Sequence, residues 1–138
     1  MRKKNILILD DDKAILECLK CILLSEGYNV FISENIFQAE MILVYNEIDL
    51  LLSDVNVGDE YGFDLANTAT ALNLYLPVIM MTGDLNGRDF RKAKLFGYDY
   101  ISKPLDLQSL CNTIYDLLKE DYINFKSLDY RYEDRLAV

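Results

Sequence analysis

The chain has 138 residues, 51% of them hydrophobic, which suits one ordinary domain that buries its core without disulfides or a structural metal. Its 23 acidic residues against 14 basic ones give a net charge of −9, which argues against a nucleic-acid backbone or an anionic membrane surface as principal partner. Histidine is absent, which excludes a histidine triad, a His-rich zinc site and a phosphohistidine of its own; three cysteines, without a secretory segment or an apolar run near 18 residues, predict a cytoplasmic setting.

Residues 6–9 are an unbroken apolar run, Ile-Leu-Ile-Leu, that stops at Asp10, Asp11 and Asp12. Without alternation it reads as a strand covered on both faces, as in a parallel sheet. Ala14, Ile15, Cys18, Leu19, Ile22 and Leu23 then recur at helical spacing, with Asp12 as the predicted cap and Gly27 as the stop. The cycle repeats as strand 28–32, helix 36–45, and strand 50–53 ending at Asp54. A loop leads to helix 63–72, strand 78–81 after Pro77, helix 88–96 stopping at Gly97, strand 98–101 and helix 107–118. Five strands alternating with five helices and joined by right-handed crossovers predict an α/β fold with a doubly wound parallel sheet.

Such sheets bind ligands beyond the carboxyl ends of their strands. Those ends offer Asp10 and Asp11, then Asp54, then Thr82 with Gly83, then Lys103 before Pro104. Two carboxylates roughly 5 Å apart repel by about 3 kcal/mol at an effective dielectric near 20, so something must offset the crowding. A bound cation, a lysine, protonation or divergence into water would each do so. Acids at the start of a helix also stabilise its amino end by about 0.3–1 kcal/mol each, which is the plain structural reading of Asp10, Asp11 and above all Asp12.

The segments ILILDDDKAI, LLSDVNVGDEYGFDL, PVIMMTGD and GYDYISKP, in this order and spacing, resemble the receiver domain of bacterial two-component response regulators over about residues 4–118. The resemblance implies a flavodoxin-like (βα)5 fold with strand order 2-1-3-4-5, in which residues 1–120 are the receiver and 121–138 a C-terminal helix extension or tail. It implies that Asp54 accepts a phosphoryl group from a histidine kinase or histidine phosphotransfer protein. Magnesium, or manganese in its place, would be held by Asp11, Asp54 and the backbone carbonyl of Asn56, and by Asp10 through water. Lys103 would pair with a phosphoryl oxygen, Thr82 would swing toward the phosphoryl group, and Tyr100 would fill the space left behind. The output would be altered binding of a downstream protein through the face made by the fourth helix, fifth strand and fifth helix. Monomer and weak dimer through that face are both compatible with this reading. The protein would be regulatory, with self-catalysed acceptance and slow hydrolysis, rather than a metabolic enzyme.

Where family members usually carry a Met-Pro pair after the acceptor, this chain has Val57 and Gly58, which predicts a looser acceptor loop; Gly62 keeps its place eight residues after Asp54. Asn56 and Asp84 match positions that tune phosphate loss. Cys18 and Cys21 form a C-x-x-C inside the first helix, with Cys18 on its apolar stripe, and this placement predicts packing rather than redox chemistry; Cys111 reads the same way. From Asp121 onward the chain is too short and too mixed in charge for a DNA-binding output domain, so a stand-alone receiver is expected, with an aromatic tail that extends the last helix, packs back or frays.

A second class remains in view. D-x-D after a strand, here Asp10 and Asp12, followed by a threonine and a lysine, resembles aspartate-nucleophile phosphatases of the haloacid dehalogenase type, with Asp10 as acceptor. That family needs a further acidic pair on a strand after the lysine, and only a helix and tail follow Lys103. A receiver fold kept for dimerisation alone would be expected to have lost acidic or lysine positions, and none is lost.

Overall fold

The computed structural model describes residues 2–83 and 87–119. The predicted tail at 121–138, and Asp84, lie outside these described residues. In chain order the elements are β1 (Asn5–Leu9), α1 (Lys13–Ser25), β2 (Asn29–Ser33), α2 (Ile36–Tyr45), β3 (Leu50–Asp54), β4 (Asn56–Val57), β5 (Glu60–Tyr61), α3 (Gly62–Leu72), β6 (Val78–Thr82), α4 (Arg88–Phe96), β7 (Asp99–Ser102) and α5 (Leu107–Leu118). The central sheet runs β2-β1-β3-β6-β7 with every pairing parallel. This is the expected 2-1-3-4-5 order of a flavodoxin-like fold, with β4 and β5 inserted as a separate antiparallel ribbon.

Alternate residues of the central strands feed two cores. Leu7, Leu9, Leu51, Val78 and Met80 pack with Ala39 of α2, with Phe63, Ala66 and Ala69 of α3, and with Ala93 of α4. Ile6, Ile8, Leu50, Leu52, Ile79 and Met81 pack on the other face with Leu16, Leu19 and Leu23 of α1 and Leu110 and Ile114 of α5. Both faces are covered, which is why these strands are apolar at every position instead of every second one.

The second and fifth long strands begin one residue later than their apolar runs predict, at Asn29 and Asp99. The cause is the helix end before each. Gly27 (φ 96°) and Gly97 (φ 79°) take the left-handed conformation that closes a helix. The N–H groups of Tyr28 and Tyr98 reach back to the carbonyls of Leu23 and Ala93 at 3.1 and 2.8 Å, so both are spent on the helix before the ladder starts.

Two expectations need correction. Cys18 and Cys21 are exposed, not packed in the core: Leu16, Leu19 and Leu23 form the buried stripe of α1, and Cys18 lies off it. The acceptor loop, expected to be looser, is also not irregular but forms the hydrogen-bonded β4–β5 ribbon. Asn56 pairs with Tyr61 and Val57 with Glu60 around a two-residue turn, with Gly58 at φ 60° first and a residue of negative φ second, a combination that suits a tight hairpin. Glu60 accepts a hydrogen bond from the Ile36 N–H at 3.1 Å, which ties the ribbon to the start of α2.

Candidate functional site

Parallel strands bring their carboxyl ends to one rim, and the registers set what meets there. Asp54 lies opposite Met81, so Thr82 follows just beyond it, and Thr82 lies opposite Ser102, so Lys103 comes next. The Lys103 N–H donates to the Thr82 carbonyl at 2.8 Å, carrying the ladder one step past β7; the peptide from Lys103 to Pro104 is cis.

Lys103 bridges two acids. Its Nζ donates to Asp10 Oδ2 and to Asp54 Oδ2, each at 3.0 Å. Asp10 is fully buried, and its other oxygen accepts from the Asp12 N–H at 2.9 Å. The Asp54 side chain is 12% exposed, which leaves it an opening toward solvent. Carboxylate oxygens of Asp10, Asp11 and Asp54 all lie within 4.8 Å of one another. Three carboxylates against one ammonium leave two negative charges on the rim.

Burial pushes the Asp54 carboxyl above the ordinary range, and the neighbouring Asp10 charge adds to the rise. The hydrogen bond and charge of Lys103 and the backbone N–H of Asn56 oppose it without cancelling it. Burial on its own would lower Lys103, yet the hydrogen bonds and charges of Asp10 and Asp54 outweigh it, and the ammonium is held above its usual range. Lys103 is thus a fixed cation at neutral pH.

Asp11 is exposed and accepts a hydrogen bond from the Gly58 N–H at 3.0 Å. Asp12 faces away from this cluster: its Oδ1 accepts from the N–H groups of Ala14 and Ile15 at 2.9 and 3.3 Å, so it caps α1 as predicted. That role draws Asp12 away from the one the phosphatase alternative requires. Asn56 opens β4 two residues beyond Asp54 with its side chain exposed. Gly62 is a steric requirement, because a Cβ there would collide with the backbone carbonyl oxygen of Asp54.

The two predicted switch residues are both held by the first turn of α4. The Thr82 hydroxyl donates to Asp89 Oδ2 at 2.7 Å, both residues being buried, and the Tyr100 ring packs on Phe90 with centroids 4.3 Å apart while remaining 41% exposed. Tyr100 is accordingly turned outward. Asp89 was not singled out from sequence, because an acid in the first turn of a helix is an ordinary dipole partner. The grip of Gly58 on Asp11 was equally hidden, since it is made by a backbone N–H that every residue but proline carries.

The donor set fits a hard divalent cation. Only oxygens are offered, which suits magnesium, manganese or calcium rather than zinc. Asp10, Asp11 and Asp54 would hold such an ion through carboxylate oxygens gathered within 4.8 Å of one another, and the ion would supply positive charge where the rim lacks it.

The sequence profile of the response regulator receiver domain matches residues 6–115. The chain belongs to that family. The receiver domain is 31% identical over 138 residues to the uncharacterised transcriptional regulatory protein YbdJ of Bacillus subtilis, covering 99% of this chain and 60% of that protein. It is 35% identical over 121 residues to the DNA-binding transcriptional regulator NtrC of Rhizobium meliloti, covering 87% of this chain and 25% of that one. The chain therefore spans a quarter to three-fifths of the length of these two relatives. Among solved structures, a CheY-like receiver domain protein from Methanospirillum hungatei superposes with a TM-score of 0.82 at 32% identity, covering 91% of this chain and 99% of that one. Among its described residues, the receiver domain has no helix long and apolar enough to cross a membrane. It is a receiver of two-component signalling, and its acidic rim of Asp10, Asp11 and Asp54 is suited to a metal ion.

Proposed function

We propose that the domain takes a phosphoryl group onto Asp54 from a phosphohistidine on a histidine kinase or histidine phosphotransfer protein, and that this changes its affinity for a downstream protein. The observation that carries the proposal is Lys103 bridging Asp10 and Asp54 at 3.0 Å each, beside Asp11. In the transfer, an Asp54 oxygen attacks phosphorus, the P–N bond to the donor imidazole breaks, and the electron pair leaves on nitrogen. No general base is required, because the nucleophile is a carboxylate. The obstacle is anion approaching anion, which fixed cations must relieve.

Lys103 supplies one such cation and would follow a phosphoryl oxygen once the group is attached. Magnesium, bound by Asp11, Asp54 and the carbonyl of Asn56, with Asp10 through water, would neutralise the charge on the transferring oxygens. Manganese would substitute. The chain's own contribution is placement: Gly62 keeps the backbone behind Asp54 clear, and the strand ladder fixes Lys103 beside it. The domain acts as its own catalyst of acceptance and slow loss, and serves regulation rather than metabolism.

In the switch, Thr82 would leave Asp89 for the phosphoryl group and Tyr100 would turn inward. Moving a population from 1:99 to 99:1 takes roughly 5.5 kcal/mol, which a few charge-assisted hydrogen bonds of about 1.5–3 kcal/mol each provide. The partner face would be α4, β7 and α5. Phosphotransfer profiling against a panel of histidine kinases and phosphotransfer proteins tests the reading. The expected result is magnesium-dependent label in the wild type that is lost with chelator and lost in Asp54→Asn; label persisting in that variant would overturn the assignment.

A further inference from the structure

We infer that the backbone N–H of Gly58 positions the carboxylate of Asp11 for the metal, and that the ribbon turn is built to hold that N–H in place. The inference rests on Asp11 being a metal ligand, as proposed above, and adds a positioning residue to that site.

Asp11 differs from its neighbours in the cluster. Asp10 is fully buried and tied by Lys103 and the Asp12 N–H, and Asp54 is nearly buried and tied by Lys103. Asp11 is exposed, and the hydrogen bond it receives is from Gly58, at 3.0 Å and 47 positions away in the chain. An exposed aspartate samples three staggered χ1 wells, and a cation that uses it must confine it to one. A carboxylate accepts at about four lone-pair sites, so the Gly58 N–H and a cation can be held together rather than in competition.

The donor is itself fixed from two sides. The N–H lies in the peptide plane shared with Val57, which is buried and paired with Glu60, the positive φ of Gly58 turns the chain back into that pairing, and Glu60 is anchored by the Ile36 N–H. Proline at this position could not act in this way, having no N–H and a φ near −65°. The Val57–Gly58 pair thus supplies a ligand-orienting donor in the acceptor loop.

The test replaces the Gly58 amide by an ester, made by chemical ligation with glycolic acid at that position, which deletes the N–H and leaves every side chain in place. D-alanine at position 58, introduced by the same ligation, is the control: it keeps the N–H and favours the positive φ that an L side chain would strain. Manganese affinity is read by electron paramagnetic resonance and thermal stability is read in parallel. The dissociation constant should rise about three- to tenfold in the ester and stay within about twofold in the D-alanine protein, as expected for losing one orienting hydrogen bond. Equal affinities for ester and wild type, or tighter binding by the ester, would overturn the inference. A second readout needs no variant. The scalar coupling across the hydrogen bond, from Gly58 15N to Asp11 13Cγ, should be present in metal-free protein and persist at saturating magnesium. Its loss on adding magnesium would make Gly58 a competitor and contradict the proposal. The proposed metal role is tested separately by Asp11→Asn, in which manganese binding should fall well below that of the ester. If wild type and Asp11→Asn bind manganese alike, both the reading and the inference fail.

Discussion

Asp54 sits where two effects oppose each other, and burial with the Asp10 charge prevails over Lys103 and the Asn56 N–H. A carboxyl whose pKa is raised by folding binds more protons in the folded state, so metal-free protein loses stability as pH rises from the ordinary carboxylate range through the raised value. Above that window the penalty of an ionised Asp54 is constant. Asp54→Asn removes the penalty and keeps an oxygen for Lys103 to meet. The variant should therefore be more stable than wild type near neutral pH, and the gap should close as the buffer is made acidic. Urea unfolding in chelator at several pH values checks this. A variant less stable than wild type at neutral pH would show that the Lys103 ion pair outweighs burial.

At the scale of elements, α4 is the part that handles both predicted switch residues. Consecutive side chains of its first turn, Asp89 and Phe90, hold Thr82 by a 2.7 Å hydrogen bond and Tyr100 by ring contact. The arrangement keeps Thr82 facing α4. Asp89→Ala removes one charge-assisted hydrogen bond from this arrangement, a loss of about 1.5 kcal/mol, which moves the equilibrium roughly tenfold toward the state in which Thr82 meets a phosphoryl group. Binding of trifluoroberyllate, a phosphoryl mimic, should tighten by up to about that factor, as measured by calorimetry. Unchanged affinity would mean that Asp89 does not restrain Thr82.

Across the whole molecule, what could be read from sequence and what could not divide along physical lines. The sheet order and both cores follow from apolar runs that face helices on two sides, and Ile6, Leu7, Ile8 and Leu9, all fully buried, show why no alternation marks β1. The meeting of Asp10, Asp11, Asp54 and Lys103 was legible because parallel strands share one rim, so residues 93 positions apart, such as Asp10 and Lys103, come within 3.0 Å. The β4–β5 ribbon was not legible: two-residue strands carry no periodicity, and Val57-Gly58-Asp59-Glu60 reads as loop. Cys18 was misplaced because apolar spacing gives the centre of a helical stripe better than its edges. Asp89 stayed hidden because its partner, Thr82, is fixed by tertiary packing.

The crowding of negative charge on this rim is accounted for if a phosphoryl group is received on Asp54, as proposed. Its most direct test is to incubate the protein with acetyl phosphate and magnesium, reduce the product with borohydride to mark any acyl phosphate, and locate the modified residue by mass spectrometry of peptides. One modified position, Asp54, is expected, and no modification when magnesium is chelated. Modification at Asp10, or at Asp54 regardless of the metal, would contradict it.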